Sequence, residues 1–238
     1  GLTRSYTLYV PASYTPGTPA PVVLNFHGYT STAFEQFYYG DFRAIADTAG
    51  FLIVVPMGTL DATGVTYWNS GWGGTVDDIG FTSALIDEIA STYSVNIDRV
   101  YSTGMSNGGY MSYTLACSLS DRIAAIASLA GASFFKATDC GAKSSVSVLQ
   151  VHGTKDATIL YEGGQILGTS YPGAVASASQ WATFNQCTQN AVTRSTKLDL
   201  EPNIAGDETA VTAWTNCQNS SEVELWTMEN GAHIPTLR

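Results

Sequence analysis

A glycine-rich pentapeptide, Gly104-Met105-Ser106-Asn107-Gly108, constrains the fold of this chain more than any other segment. Before it, residues 99–102 can form a buried strand. After it, residues 110–119 lack proline and carry apolar side chains three and four apart, a spacing typical of a helix. A strand that turns this sharply into a helix holds Ser106 at a strained backbone angle. Glycine is needed on both sides because a side chain at either place would collide across the turn.

The pentapeptide has the G-x-S-x-G pattern of a nucleophile elbow, which in α/β-hydrolases exposes a serine at the top of the sheet. The helix that follows points its N-terminal amides at Ser106, where negative charge develops during acyl transfer. In a chain with 23 glycines the pattern also arises by chance, so the alternative is an ordinary hydroxyl in a glycine-rich turn. The neighbouring strand, helix and partner residues favour the nucleophile.

Length and composition favour one domain spanning residues 1–238. A chain of 238 residues with 45% hydrophobic content can bury one sizeable core. No apolar run reaches the length of a membrane span and no secretory h-region opens the chain, so we expect Gly1 to be a mature or trimmed N-terminus. The formal net charge of −10 argues against nucleic acid and anionic membranes as partners and favours neutral substrates.

The four cysteines, Cys117, Cys140, Cys187 and Cys217, are widely spaced and form no C-x-x-C, so we expect no zinc site and no other metal or cofactor. Their even number, the few lysines and the low pI predict an oxidising location, secreted or periplasmic. Of three possible pairings we favour Cys117–Cys140 with Cys187–Cys217, each closing a moderate loop worth about 3 kcal/mol. Four buried free thiols are the alternative.

Strands alternating with helices predict an α/β fold, with a mostly parallel central sheet, right-handed crossovers and helices on both faces. We expect an edge strand at residues 3–10, a central strand at 22–26, and further strands at 51–55, 123–129, 146–151, 192–196, 210–214 and 222–227. We expect helices at residues 42–49, from Asp77 or Asp78 onward, and at 173–185. Loops are expected at residues 34–39, which are rich in aromatic side chains, and at 61–75.

A catalytic serine needs a base within hydrogen-bonding reach, and the base needs an acid that orients it. Of the three histidines, His27 follows a central strand and is better placed to brace an oxyanion loop, while His152 lies too close to Asp156 to reach past it. His233 is therefore the predicted base, with an exposed loop histidine as the alternative. Asp156 is the predicted acid because it follows a strand beyond the nucleophile strand, which completes the order Ser, Asp, His.

Two backbone amides are predicted to form the oxyanion hole. One belongs to Asn107, the residue after the nucleophile, and the other to Tyr29, which follows His27-Gly28 at the end of a central strand. Aromatic side chains of the nearby loops, above all Tyr38 and Trp68, could bind the acyl or aryl group of a substrate, with ordinary packing as the alternative. The others considered are Phe37, Tyr39 and Trp72.

These motifs together resemble the polyhydroxybutyrate depolymerase-like esterases, the group that also holds feruloyl and acetylxylan esterases of the carbohydrate esterase family 1 type. The similar segments run along nearly the whole chain: residues 4–11, His27-Gly28-Tyr29, Trp68-Asn69, residues 76–81, 104–109, 121–125 and 152–156, and the pair Cys187 and Cys217. The resemblance implies secreted serine esterases with Ser106 as nucleophile, Asp156 as acid, His233 as base, the second oxyanion amide at Tyr29 and the two favoured disulfides.

Two features depart from that group. Its members often carry a cysteine after His-Gly, where this chain has Tyr29. They also often continue into a further helix after the histidine, whereas this sequence stops at Arg238.

The sequence therefore predicts a serine carboxylic ester hydrolase whose partner is a small-molecule or oligosaccharide-linked ester of a short-chain or hydroxycinnamoyl acid. Polyhydroxyalkanoate depolymerase and acetylxylan esterase are the alternatives, and the first is disfavoured because no substrate-binding domain is evident. Acyl transfer to an alcohol, and a binding module that has lost catalysis, also remain open; the complete triad argues against the second. The sequence leaves the oligomeric state open.

Overall fold

The computed structural model describes residues 2–71, 73–166, 168–188 and 191–236. The strands in these ranges are β1 (Tyr6–Tyr9), β2 (Ala20–Phe26), β3 (Leu52–Pro56), β4 (Thr59–Leu60), β5 (Thr66–Tyr67), β6 (Val95–Met105), β7 (Ala125–Leu129), β8 (Ser147–Gly153), β9 (Gly163–Ile166), β10 (Thr169–Pro172), β11 (Val192–Thr193), β12 (Thr209–Trp214) and β13 (Val223–Met228). The α-helices are α1 (Ala33–Tyr39), α2 (Arg43–Ala49), α3 (Asp78–Thr92), α4 (Asn107–Ser118) and α5 (Ala174–Phe184).

The central sheet has nine strands in the order β1-β3-β2-β6-β7-β8-β13-β12-β11. Every pairing from β3 to β13 is parallel, while β1 at one end and β12 with β11 at the other are antiparallel. In β2, Val22, Leu24 and Phe26 lie on the same face and are at most 1% exposed, while Val23 on the opposite face is half-buried. The predicted mostly parallel α/β sheet is confirmed. Its parallel strands all end at one edge, where chemistry-bearing loops can meet.

Helices pack on both faces of the sheet, as predicted, but they cover the faces unequally. On one face Leu115 of α4 and Trp181 of α5 join Leu24 in the main core. On the other, α2 packs Ala46 against Ile53 of β3. The middle of this second face forms an apolar groove of about 360 Å³, lined by Val23, Tyr101, Thr103, Ala125 and Ala127 of the sheet and by Phe42, Ile45 and Phe51.

The main difference from the predicted elements is residues 33–39, which form α1 and not a loop. Thr32 caps the helix by accepting a hydrogen bond from the Glu35 amide at 3.2 Å. This Thr-x-x-Glu spacing is a helix-start signal that the density of aromatic side chains obscured. The hairpins β4–β5 and β9–β10 were also not predicted, because strands this short carry little periodic signal.

Two disulfides, Cys117–Cys140 and Cys187–Cys217, have the pairing favoured from the sequence. No helix within the described ranges is long and apolar enough to cross a membrane.

Candidate active site

Ser106 lies at the tip of a strained turn between β6 and α4. Its φ of 54° and ψ of −115° are unusual for a residue with a side chain. A Cβ on Gly104 would lie 2.5 Å from the carbonyl carbon of Gly108, and one on Gly108 would lie 2.1 Å from the Phe26 carbonyl oxygen. Gly104 is therefore required by a close contact across the turn, as the sequence suggested, whereas Gly108 is required by its contact with the end of β2.

The structure brings together the three residues predicted as a triad. His233 Nε2 lies 3.0 Å from Ser106 Oγ, and His233 Nδ1 lies 2.7 Å from Asp156 Oδ2. The three residues follow β6, β8 and β13, whose carboxyl ends share one edge of the sheet. They are far apart in sequence and meet only because of the strand order.

The hydrogen bonds define which ring nitrogen of His233 carries hydrogen. An ionised carboxylate only accepts, so His233 Nδ1 donates to Asp156, and the unprotonated Nε2 accepts the hydroxyl hydrogen of Ser106. Burial alone would raise the pKa of Asp156. Hydrogen bonds from His152, His233 and the Ile159 amide outweigh burial and hold the pKa of this carboxyl well below its usual range. Asp156 is therefore charged at neutral pH although its side chain is fully buried.

Asp156 has a second histidine neighbour that sequence reasoning excluded as a base and did not place elsewhere. His152 Nε2 lies 3.3 Å from the same Oδ2 that accepts from His233. The other carboxylate oxygen, Oδ1, accepts from the amides of Thr158 at 2.9 Å and Ile159 at 2.8 Å. The available signal was a pair of polar residues two apart, Gln150 and His152, in a strand whose neighbouring residues Val148, Leu149 and Val151 are apolar.

The loop that carries His233 is tied to the Asp156 loop by backbone contacts. The Lys155 amide donates to the Gly231 carbonyl at 2.9 Å. Gly153 approaches Gly231 so closely that a Cβ on Gly153 would lie 2.2 Å from the Gly231 carbonyl oxygen. The two loops are thus held as one unit.

Side chains from other parts of the chain hold the far side of the His233 loop. Tyr39 Oη donates to the Pro235 carbonyl at 2.9 Å, and the Thr236 amide donates to Glu201 Oε2 at 2.5 Å. Burial, with a smaller contribution from the Glu201 charge, raises the pKa of Tyr39 to about 12. Neither Tyr39 in this role nor Glu201 was predicted, since both contacts depend on long-range packing.

The residues predicted to supply the oxyanion amides are Asn107, directly after Ser106, and Tyr29, whose preceding residue approaches Ser106. Asn107 is the first residue of α4. Its amide has no acceptor within the helix, because the amides of the first turn have no preceding turn to bond to. Tyr29 follows Gly28, on which a Cβ would lie 3.7 Å from Ser106 Cβ. The Tyr29 ring points away from this position, with Oη donating to Asp61 at 2.7 Å and the residue 46% exposed.

His27 braces this loop, in agreement with its predicted place. Its Nδ1 donates to the Gly28 carbonyl at 2.7 Å, and its Nε2 accepts from the Gly58 amide at 2.9 Å. Burial lowers the pKa of His27, which keeps the ring neutral and this pattern of donor and acceptor intact.

The structure corrects the expectation for Trp68. This side chain is 1% exposed and packs edge-on against Phe26, while its Nε1 donates to the His27 carbonyl at 3.0 Å. A ring this deeply buried has no face open to a ligand, so it cannot bind substrate. Its hydrogen bond to the His27 carbonyl instead supports the oxyanion loop from within the core. Its backbone also binds the Asn107 side chain, with the Trp68 amide donating to Asn107 Oδ1 at 2.7 Å.

Tyr38 lies on the outer side of α1 and is 55% exposed. Its ring packs against Phe34 and Phe37, and the Arg43 guanidinium lies 5.3 Å from its centroid. A role for Tyr38 in substrate binding stays a prediction. Trp72 lies outside the described residues.

A cavity of about 120 Å³ lies against α4. Tyr110 lines it and lies one helical turn after Ser106, since the Tyr110 amide donates to the Ser106 carbonyl at 3.0 Å. Its wall combines aromatic rings with hydroxyl groups and one carboxylate: Tyr113, Phe134, Phe135 and Tyr171, then Ser70, Thr114, Ser133, Thr169 and Ser170, then Asp139. Neither Tyr38 nor Trp68 is among the described residues that line it.

A family model described as Esterase PHB depolymerase matches residues 4–195. Feruloyl esterase B from Piromyces equi is 29% identical over 239 residues, which cover 97% of this chain and 42% of that protein. A bifunctional acetylxylan esterase/xylanase from Neocallimastix patriciarum is 31% identical over 162 residues, which cover 68% of this chain and 23% of that protein. This chain therefore spans less than half the length of these two relatives.

Among solved structures, an acetyl xylan esterase from Aspergillus awamori has a TM-score of 0.67 at 17% identity, covering 96% of this chain and 88% of that chain. That likeness shows the shared α/β-hydrolase fold. The family model covers most of the sequence and confirms the resemblance drawn from the motifs. The chain belongs to the Esterase PHB depolymerase family.

Proposed function

We propose that this protein is a serine carboxylic ester hydrolase in which Ser106 is the nucleophile, His233 the base and Asp156 the acid that orients it. The observation that carries the proposal is the hydrogen-bonded chain from Ser106 Oγ to His233 Nε2 at 3.0 Å and from His233 Nδ1 to Asp156 Oδ2 at 2.7 Å. Such a chain activates a hydroxyl that is otherwise a weak nucleophile. The names of the related esterases support the same class of reaction.

In the acylation step, Ser106 Oγ attacks the ester carbonyl carbon and its proton passes to His233 Nε2. The carbonyl oxygen becomes an oxyanion, which the amides of Tyr29 and Asn107 stabilise by hydrogen bonds. When the tetrahedral intermediate collapses, the bond from carbon to the alcohol oxygen breaks and the alcohol leaves with the proton from His233. Asp156 stabilises the imidazolium during this step without taking its proton.

In the deacylation step, water replaces the alcohol. His233 Nε2 takes one proton from the water while the oxygen of the water attacks the acyl carbon on Ser106. The bond from the acyl carbon to Ser106 Oγ then breaks, His233 returns the proton to Oγ, and the carboxylic acid leaves. No cofactor takes part in this scheme.

The cavity beside α4 supports a hydroxycinnamoyl ester over an acetyl ester as the preferred substrate. Tyr110, one of the residues that line it, follows Ser106 by one helical turn, about 5 Å along α4. The aromatic ring of a hydroxycinnamoyl group is separated from its carbonyl by one double bond and reaches such a distance, whereas an acetyl group does not. Tyr110 and Tyr171 offer aromatic contact, while Thr114, Ser133 and Asp139 offer partners for ring hydroxyl and methoxy groups.

We further propose that the protein works outside the cytoplasm, since both disulfides persist only in an oxidising compartment.

The test is hydrolysis of p-nitrophenyl esters of increasing acyl length and of methyl ferulate by the native protein and by Ser106→Ala. We expect turnover by the native protein and a loss of at least about 10⁴-fold in kcat for the variant, as for other serine nucleophiles. Ser91→Ala is the matched control, because Ser91 is exposed on α3 and its hydroxyl donates to the Glu88 carbonyl within the same helix. Its kcat should equal that of the native protein.

Two outcomes would contradict the proposal. Activity of Ser106→Ala within tenfold of native would exclude Ser106 as the nucleophile. A native protein inert on every ester would favour the binding-module alternative. A kcat/KM for p-nitrophenyl acetate above that for methyl ferulate would overturn the substrate preference alone.

A further inference from the structure

We propose that Gln150 and His152 act as positioning residues: together they set which nitrogen of His152 carries hydrogen and thereby aim the Asp156 carboxylate at His233. The proposal rests on the proposed ester hydrolysis for its kinetic consequence, but its structural claim can be tested without substrate. Both side chains are buried, Gln150 at 0% and His152 at 1% exposure.

The first step is the orientation of the Gln150 amide. One end of this amide lies 2.9 Å from the Gly131 carbonyl oxygen, which can only accept a hydrogen bond, so that end is the amide nitrogen. The other end, Oε1, accepts from Tyr113 Oη at 2.9 Å. The Gly131 contact alone excludes a flipped amide, since flipping would bring two oxygens together.

The second step is the tautomer of His152. Gln150 Nε2 also lies 3.1 Å from His152 Nδ1. Since the Gln150 amide nitrogen donates, His152 Nδ1 must accept. A hydrogen on Nδ1 is excluded because it would point at the amide hydrogens of Gln150. The ring hydrogen is therefore on Nε2, where it is shared between the Ile159 carbonyl at 2.8 Å and Asp156 Oδ2 at 3.3 Å.

The third step is the effect on Asp156. The amides of Thr158 and Ile159 hold Oδ1, and His152 approaches Oδ2 from the strand side. The carboxylate is thus held from two directions, by two backbone amides and by a buried side chain, in the orientation that places Oδ2 2.7 Å from His233 Nδ1. A catalytic group needs such support because a displacement of about 1 Å costs about 100-fold in rate.

The opposite tautomer would turn the unprotonated Nε2 of His152 toward both the Ile159 carbonyl and Asp156 Oδ2. Two acceptors would then face a lone pair in a buried site, which is unfavourable. Relief would come from rotation of the Asp156 carboxylate, and the alignment of His233 with Ser106 would be lost. The Gln150–His152 pair prevents this.

The direct test is the ¹⁵N NMR spectrum of the His152 ring in the native protein at pH 8. We expect the chemical shift of an unprotonated Nδ1 and of a protonated Nε2. In Gln150→Met, which removes the amide with little change in length, we expect the two tautomers to mix, and kcat to fall about tenfold with KM within twofold of native. Hydrogen on Nδ1 in the native spectrum would overturn the proposal.

Asn185→Leu is the matched control for burial. Asn185 is 0% exposed and its Nδ2 donates to the Val146 carbonyl at 2.8 Å, as Gln150 Nε2 does to the Gly131 carbonyl. Within the described residues, the hydrogen bonds of the Asn185 side chain do not include His152. Both variants should lose stability, and only Gln150→Met should change the His152 spectrum and kcat. Equal losses of kcat in the two variants would assign Gln150 a structural role only.

A second pair of variants tests His152 itself if Gln150→Met fails to fold. His152→Gln can place an amide nitrogen near the position of Nε2, so we expect kcat within about threefold of native. His152→Met cannot donate, and we expect about a tenfold lower kcat. Equal kcat in these two variants would refute the positioning role. A failure of the proposed function is distinguishable, because it appears as an inert native protein or an active Ser106→Ala.

Discussion

Gly153→Ala tests the coupling between the Asp156 and His233 loops. The added Cβ would lie 2.2 Å from the Gly231 carbonyl oxygen and 2.4 Å from its carbonyl carbon. Since Cβ contacts below 3.0 Å essentially never occur, the two backbones must separate by at least about 0.8 Å. Both atoms belong to main chain, so no side-chain rotation can relieve the contact.

This separation is large on the scale of the site. His233 Nε2 lies 3.0 Å from Ser106 Oγ, and moving it by about 0.8 Å would break that hydrogen bond. We therefore expect a loss of about 100-fold in kcat. Overpacking of this kind should also lower the free energy of unfolding by about 1–3 kcal/mol.

The assay is ester hydrolysis at a temperature where urea unfolding shows the variant to be folded. Gly141→Ala is the matched control, since nothing lies within 4 Å of a Cβ at that position. The control should keep native kcat and change the free energy of unfolding by no more than about 0.5 kcal/mol. If Gly153→Ala is folded and keeps native kcat, the two loops are not coupled through this contact.

The remaining predictions concern two residues that support the site, Tyr39 and His27. Tyr39→Phe removes the hydrogen bond to the Pro235 carbonyl, so kcat should fall by about threefold to tenfold with KM unchanged. Because the pKa of Tyr39 in the folded protein is raised to about 12, the stability that Tyr39 contributes is fully present below about pH 10 and is lost as pH rises through 12. Over that range, urea titrations should show a larger fall in the free energy of unfolding for the native protein than for Tyr39→Phe. Burial lowers the pKa of His27, so its stabilisation is present above about pH 6.5 and lost as pH falls. His27→Gln should make the free energy of unfolding less dependent on pH between 7 and 5, by up to about 1.4 kcal/mol per pH unit, and an unchanged slope in urea titrations would contradict this.

Local chemistry explains what could be predicted about the site. The need for glycine at 104 follows from the turn itself, because a Cβ there would meet the Gly108 backbone. Glycine at 108 is required by a contact outside the turn, since a Cβ there would meet the Phe26 carbonyl at the end of β2. The order of Ser106, Asp156 and His233 along the chain, each following a strand, was enough to place all three at one edge of a parallel sheet. These inferences depend on neighbours in sequence and on the rule that parallel strands end together.

Contacts between distant strands and loops could not be predicted in the same way. Trp68 is a residue type that is common in ligand pockets. It is nevertheless buried under the oxyanion loop, because the loop after β5 folds inward against β2. Whether a large aromatic side chain faces solvent or core depends on which segment covers it, and a short irregular loop has no periodicity to reveal this.

The sequence by itself determined the elbow, the sheet class, the candidate triad and the family, because each can be recognised from residue types and their spacing in short segments. Only the tertiary structure decided that Gln150 and His152 lie behind Asp156, that Gly153 meets Gly231, and that Tyr39 holds the last loop. Those contacts join elements up to 196 residues apart. They depend on strand order, register and close packing, which a single sequence pattern does not specify.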